Sequence, residues 1–83
     1  MDSCLITFRS VTPAQRGENL LQQEGIRCRL GRTPRVLAEQ GCGYSLYLDC
    51  AQLHRGVERL RQKGIPWQKA YRMGEQGPQE VWL

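Results

Sequence analysis

The chain has 83 residues, the length of one domain, and a domain this small buries only roughly 60% of its unfolded surface. Its 40% hydrophobic and 24% charged residues predict a folded protein and exclude an intrinsically disordered one. The net charge of +4 favours anionic partners in general without selecting nucleic acid. We therefore expect a functional site on the surface or in a loop.

The first half of the sequence predicts a β-α-β unit. Cys4–Phe8 is a short apolar run typical of a strand. Thr12 and Pro13 suit the start of a helix, and Gly25 suits its end. Ile26–Leu30 then alternates apolar and basic residues, which predicts a second strand with one buried face.

The second half repeats this pattern. Tyr44–Leu48 alternates like a strand, Asp49 suits the cap of a second helix, and Gly64 suits its end. Ile65–Arg72 is typical of a fourth strand, and Pro66 near its start favours a position at the sheet edge.

This order of elements predicts an α+β fold. With right-handed crossovers, β-α-β-β-α-β gives the ferredoxin-like sandwich, a four-stranded antiparallel sheet with both helices on one face. We assign residues 1–73 to this domain and 74–83 to a C-terminal tail. The opposite sheet face would be uncovered, and strand alternation places these residues on it: Leu5, Thr7, Arg27, Arg29, Ser45 and Tyr47.

Cellular location and cysteine chemistry are linked. No apolar run approaches the roughly 18 residues of a membrane span, and the N-terminus lacks the features of a secretory signal. A cytoplasmic protein with no membrane contact is expected, so its four cysteines are expected as free thiols. They form no Cys-x-x-Cys pair, and no metal site is expected.

Cys42 is the thiol in the most reactive setting. It lies between Gly41 and Gly43, in a connection that also carries Arg32 and Arg35, and positive charge favours a thiolate. A helical turn over Val36–Gln40, ended by Gly41, would oppose this with the partial negative charge of its C-terminus. We expect the two arginines to prevail and to hold the pKa of Cys42 below the free value of about 8.5.

The other cysteines receive different interpretations. Cys4 and Cys28 share strand faces with apolar residues and are expected in the core. Cys50 is the rival thiol, since the start of a helix lowers a thiol pKa, and His54 one turn later is a possible base. A Cys42–Cys50 disulfide is disfavoured, because the strand between them would span roughly 16 Å.

Several segments in order resemble one family. They are Leu5–Ser10, Leu20–Ile26, Thr33–Arg35, Cys42–Gly43 and Gly64–Ile65. Together they are similar to a small bacterial family of selenium/sulfur carrier-like proteins, over about Leu5 to Tyr71. The ordered pair of Thr-Pro-Arg and Cys-Gly is the most specific part of the resemblance.

The resemblance implies a carrier more than a stand-alone enzyme. Cys42 would hold sulfur or selenium as a persulfide or perselenide, with no permanent cofactor. The expected partners are a donor, such as a cysteine desulfurase or selenocysteine lyase, and an unidentified acceptor protein. The supporting residues are Arg32, Thr33, Pro34, Arg35, Gly41 and Gly43, of which the arginines would stabilise the anion and the glycines would leave room for a partner.

Two other functions remain open. A non-catalytic regulatory or docking module would use the uncovered sheet face. An RNA-binding module would use Arg27, Arg29 and Tyr47, since bases stack on exposed aromatic residues of such sheets. Only 7% of the residues are aromatic and no RNP1-like segment is present, so nucleic acid is not favoured.

Overall fold

The computed structural model describes residues 2–38 and 43–83. Within these ranges the chain forms two α-helices and five strands, which makes it an α+β protein. A 3-10 helix, Cys50–Gln52, precedes the second α-helix. In chain order the elements are β1 (Ser3–Phe8), α1 (Val11–Gln23), β2 (Cys28–Arg32), β3 (Tyr44–Asp49), α2 (Leu53–Gln62), β4 (Ala70–Gly74) and β5 (Gly77–Val81).

The strands form one antiparallel sheet in the order β2-β3-β1-β4-β5. The sequence predicts four strands, whereas the sheet has five, and β5 lies within residues 74–83, the predicted tail. Gly74 and Gly77 pair across a tight hairpin, and Gly77 has a φ of 98°. Gly74 and Gly77 thus flank the turn of this hairpin, and Pro78 is tolerated because β5 is an edge strand.

Both helices end in the same hydrogen-bonded cap. At the end of α1, Gly25 has a φ of 80° and the N–H of Ile26 donates to the carbonyl of Leu21 at 2.8 Å, as in a Schellman motif. Gly64 and Ile65 close α2 in the same way. The two predicted helix ends are confirmed. The isoleucines belong to the caps, and β2 and β4 begin later than predicted, at Cys28 and Ala70.

The starts of the helices differ from the prediction. α1 begins at Val11, with Ser10 and not Thr12 as its N-cap, and the Ser10 side chain makes no capping hydrogen bond. The Asp49 carboxylate accepts a hydrogen bond from the N–H of Ala51 at 2.9 Å. Asp49 therefore caps the 3-10 helix that leads into α2.

Both helices pack on one face of the sheet around a single core. The buried cluster includes alternate residues of β1 and β3 with the apolar sides of α1 and α2: Cys4, Ile6, Phe8, Ala14, Leu21, Leu46, Leu48, Leu53, Val57 and Leu60. The opposite face is less open than predicted. Leu5 on that face is 0% exposed, and the sheet register places it between Tyr47 and Tyr71.

A disulfide joins Cys4 and Cys50, whose Cα atoms lie 4.9 Å apart. The prediction of free thiols is wrong for this pair, and Cys50 is not a rival thiol because its sulfur is already bonded. The bond to Cys4 also excludes a Cys42–Cys50 disulfide. The reason is the register: Ser3 pairs with Asp49, so the end of β3 returns to the start of β1.

In the described ranges, α1 and α2 have 13 and 10 residues and are too short and too polar to span a lipid bilayer. Within residues 2–38 and 43–83 there is also no group of three or more His, Cys, Asp or Glu side chains that could hold a metal ion.

Candidate functional site

The connection between β2 and β3 is closed at its base by Thr33 and Gly43. The N–H of Thr33 donates to the carbonyl of Gly43 at 3.0 Å. The Thr33 hydroxyl lies 2.7 Å from that of Ser45, which is 0% exposed. A Cβ atom on Gly43 would lie 3.1 Å from the Thr33 hydroxyl oxygen, so a glycine permits this close approach. Two predicted supporting residues thus meet in the structure.

Pro34 begins a single helical turn within this connection. Its carbonyl accepts hydrogen bonds from the N–H groups of Leu37 at 2.9 Å and Ala38 at 3.1 Å. The turn therefore starts earlier than the one predicted after Arg35. Arg35 is exposed on this turn, and the apolar side chain of Val36 is 75% exposed.

Cys42 and Gly41 lie outside the described residues, as do Glu39 and Gln40. The predicted reactivity of Cys42, its pKa and its proximity to the arginines therefore remain predictions. The structure describes the chain on both sides of Cys42, up to Ala38 and again from Gly43.

Arg32 is positioned by two tyrosines of β3. Its guanidinium carbon lies 5.8 Å from the ring centroid of Tyr44, a cation–π geometry. Its carbonyl accepts a hydrogen bond from the Tyr47 hydroxyl at 2.7 Å. Tyr47 also lies against β2, because a Cβ atom on Gly31 would be 3.0 Å from its ring. Tyr47, the aromatic residue on which RNA bases were expected to stack, therefore makes its contacts within the sheet.

A cavity of about 530 Å³ lies at the same end of the sheet. Its walls combine residues distant in sequence: Phe8, Arg9, Thr33, Gly43, Gln68 and Tyr71. Gly43 directly follows Cys42 in the chain, so the cavity adjoins the predicted carrier residue along the backbone. Sequence analysis missed Arg9, Gln68 and Tyr71, because only the pairing of β1 with β4 brings them to this connection.

Thr7 holds in place the two residues before β4 that line the cavity. Its backbone carbonyl accepts from the N–H of Gln68 at 2.8 Å, and its own N–H donates to the carbonyl of Lys69 at 2.8 Å. The Thr7 hydroxyl adds a hydrogen bond from the Lys69 N–H at 3.1 Å. These contacts extend the pairing beside β1 and hold residues 68 and 69 at the cavity.

Cys28 is the free cysteine among the described residues, and it is a poor nucleophile. Burial, and secondarily the negative charge of Glu18, raise the pKa of Cys28 from 9.0 to about 11. Its side chain packs against the core, as predicted. Near neutral pH very little of this thiol is ionised, and the thiolate is the reactive form.

Comparison with known proteins identifies the family of this chain. A family model described as "Putative Se/S carrier protein-like" matches residues 3–72. The chain belongs to this family. The match to the Se/S carrier-like model includes the Thr-Pro-Arg and Cys-Gly segments and ends within β4, so β5 lies beyond it. No curated protein and no solved structure matches the chain.

We expect Thr33→Val to lower the free energy of unfolding by about 1–2 kcal/mol, because the buried Ser45 hydroxyl would lose its partner. Urea unfolding measures this. Adding Ser45→Ala to the Thr33→Val protein removes the unpaired group and should recover part of the loss. Wild-type stability in Thr33→Val would show that the hydroxyl pair does not support the base of the loop.

Proposed function

We propose that this protein is a sulfur or selenium carrier that holds a persulfide or perselenide on Cys42 and relays it between partner proteins. Membership of the Se/S carrier-like family supports the class of function. The observation that carries the assignment to Cys42 is the state of the other three cysteines. Cys4 and Cys50 are bonded to each other, and the pKa of Cys28 is raised to about 11.

The surroundings of the connection support an anionic cargo. Arg9, Arg32 and Arg35 are all exposed, at the cavity, at the end of β2 and on the turn. A guanidinium keeps its charge throughout the physiological pH range and stabilises a nearby anion. The connection thus carries exposed positive charge close to Cys42 in the chain.

The partners follow from the chemistry. A donor such as a cysteine desulfurase or a selenocysteine lyase presents the atom as a persulfide or perselenide on its own cysteine. The Cys42 thiolate attacks the outer sulfur or selenium, the bond of that atom to the donor's cysteine breaks, and the donor's cysteine leaves as a thiolate. The loaded protein then meets an acceptor protein. Arg35 and the exposed Val36 lie on the outer side of the turn, where a protein partner can reach both.

We also assign the domain to the ferredoxin-like topology, extended by one strand. The support is the antiparallel order β2-β3-β1-β4 and the single core that α1 and α2 share on one side of the sheet. In this arrangement β5 is an addition at the edge next to β4.

The carrier proposal is tested by loading the protein from a persulfide donor and measuring its intact mass. We expect the oxidised wild-type protein to gain one sulfur atom and Cys42→Ser to gain none. Cys28→Ser is the matched control and should load like wild type, because its thiol is poorly ionised at neutral pH. A stable adduct on Cys42→Ser, or none on wild type, would contradict the proposal.

A further inference from the structure

The cavity is larger than the proposed cargo requires. One sulfur or selenium atom on a cysteine needs no pocket of its own, whereas about 530 Å³ lies within the range of roughly 300–1,000 Å³ typical of small-molecule sites. The lining comes from the end of β1, the β2–β3 connection and the residues that lead into β4. This volume suggests a ligand in addition to the sulfur atom.

The charge of the cavity points to an anion. Its described lining contains two basic residues, Arg9 and Lys69, and no acidic residue. Arg9 is exposed and makes no hydrogen bond or ion pair with any described residue. Other arginines are engaged: Arg59 pairs with Glu24, Arg72 pairs with Asp2, and Arg61 donates to the carbonyl of Leu83. The Arg9 guanidinium is therefore available to a ligand.

The remaining lining suits a small organic molecule. Gln68 supplies an amide that can donate and accept hydrogen bonds, and Thr33 supplies a hydroxyl held by Ser45. Phe8 and Leu37 supply apolar contact area. An anionic group with a short apolar stem would satisfy both kinds of wall.

We propose that this cavity binds a small anionic thiol, which exchanges sulfur with Cys42. The exchange, though not the binding, rests on the carrier function proposed above. The ligand thiolate attacks the outer sulfur of the Cys42 persulfide, and the bond between the two sulfurs breaks. Its electron pair stays on Cys42 as the thiolate, and the outer sulfur leaves with its proton as the ligand's persulfide. No oxidant or reductant is consumed, and the reverse reaction loads the carrier.

Binding is tested without any transfer chemistry. S-methylglutathione, an unreactive thioether, is titrated into the Cys42→Ser protein while backbone amide chemical shifts are recorded by NMR. We expect shifts at Thr33, Gly43 and Gln68, and a dissociation constant about fivefold weaker when Arg9→Gln is added, the upper size of an exposed ion pair. Arg16→Gln removes the same charge from an exposed position outside the cavity lining and should leave binding unchanged.

Several results would overturn the cavity proposal. They are an absence of saturable shifts, shifts that lie away from the cavity, and equal losses from Arg9→Gln and Arg16→Gln. The urea midpoint of Arg9→Gln shows whether this variant is folded, which distinguishes a loss of binding from a general loss of structure.

The second measurement is the rate of sulfur transfer from the Cys42 persulfide to a thiol. Wild-type protein carrying a persulfide is mixed with glutathione or with its diethyl ester, in which both carboxylates are blocked. Arg9→Gln should slow the reaction with glutathione by about fivefold and leave that with the ester unchanged. Binding of S-methylglutathione without any Cys42 adduct would refute the carrier function alone, whereas an adduct without such binding would refute the cavity proposal alone.

Discussion

Loss of the Cys4–Cys50 disulfide is expected to lower the free energy of unfolding by about 4 kcal/mol. The bond closes a loop with a sequence separation of 46, which contains α1, β2 and β3. Cross-linking so long a loop restricts the unfolded chain far more than the folded one. Domains of this kind are stabilised by about 5–15 kcal/mol in total, so this one bond represents a large share.

The variant that tests this prediction keeps the core apolar. Cys4 is 1% exposed in the core, so the double variant Cys4→Ala/Cys50→Ala avoids burying a serine hydroxyl. Urea unfolding of this variant is compared with that of the oxidised wild type, and of wild type treated with a phosphine reductant. Cys28→Ala removes a free cysteine and retains the Cys4–Cys50 bond, so it should respond to the reductant as wild type does. Equal midpoints for oxidised and reduced wild type would contradict the prediction.

Leu60→Ala is expected to cost about 3 kcal/mol of stability, the middle of the range for a buried leucine. Leu60 is 0% exposed and lies where α2 faces α1. A Cβ atom on Gly17 of α1 would lie 3.1 Å from one of its methyl groups. Truncating Leu60 therefore opens space directly beside a glycine, and this allows a test of the packing between the helices.

The test is a double-mutant cycle with Gly17→Ala. In the wild-type background we expect this change to destabilise the protein by about 1 kcal/mol, because crowding outweighs the gain in helix propensity. In the Leu60→Ala background the same change should destabilise less, giving a coupling of about 0.5–1 kcal/mol. Part of the cost remains, because the added Cβ atom would still lie 3.2 Å from Leu46 and 3.3 Å from Phe8. Gly56→Ala is the matched control, since its Cβ would meet nothing closer than 3.4 Å. Additive effects of Gly17→Ala and Leu60→Ala would show that the two helices do not pack as described.

Local sequence patterns predicted the helix ends and the buried strand faces well. Gly25 and Gly64 adopt the positive φ values expected after a helix, because little besides the adjacent backbone decides that conformation. Ile6 and Leu46 point into the core as strand alternation predicts. Ile26 and Ile65, in contrast, are predicted as the first residues of strands, because their hydrogen bonds to the preceding helix have no separate signal in an alternating pattern.

Only the part of the candidate site that lies in one continuous segment could be predicted from the sequence. Thr33 and Gly43 could be singled out from the Thr-Pro-Arg and Cys-Gly segments, and the structure joins them at the base of the connection. Arg9 and Gln68 could not be singled out, since they reach the cavity through the pairing beside β1. Strand register is a long-range property, and no short segment encodes its partner.

The α+β class, the helix ends and the segment that carries Cys42 could be predicted from short stretches of the amino-acid sequence, because each depends on neighbours within a few residues. The tertiary structure alone decided that Cys4 lies within bonding distance of Cys50, that residues 77–81 add a strand, and that a cavity with Arg9 on its wall adjoins Gly43. These features depend on which strands pair and in what register, and that is settled by packing of the whole domain.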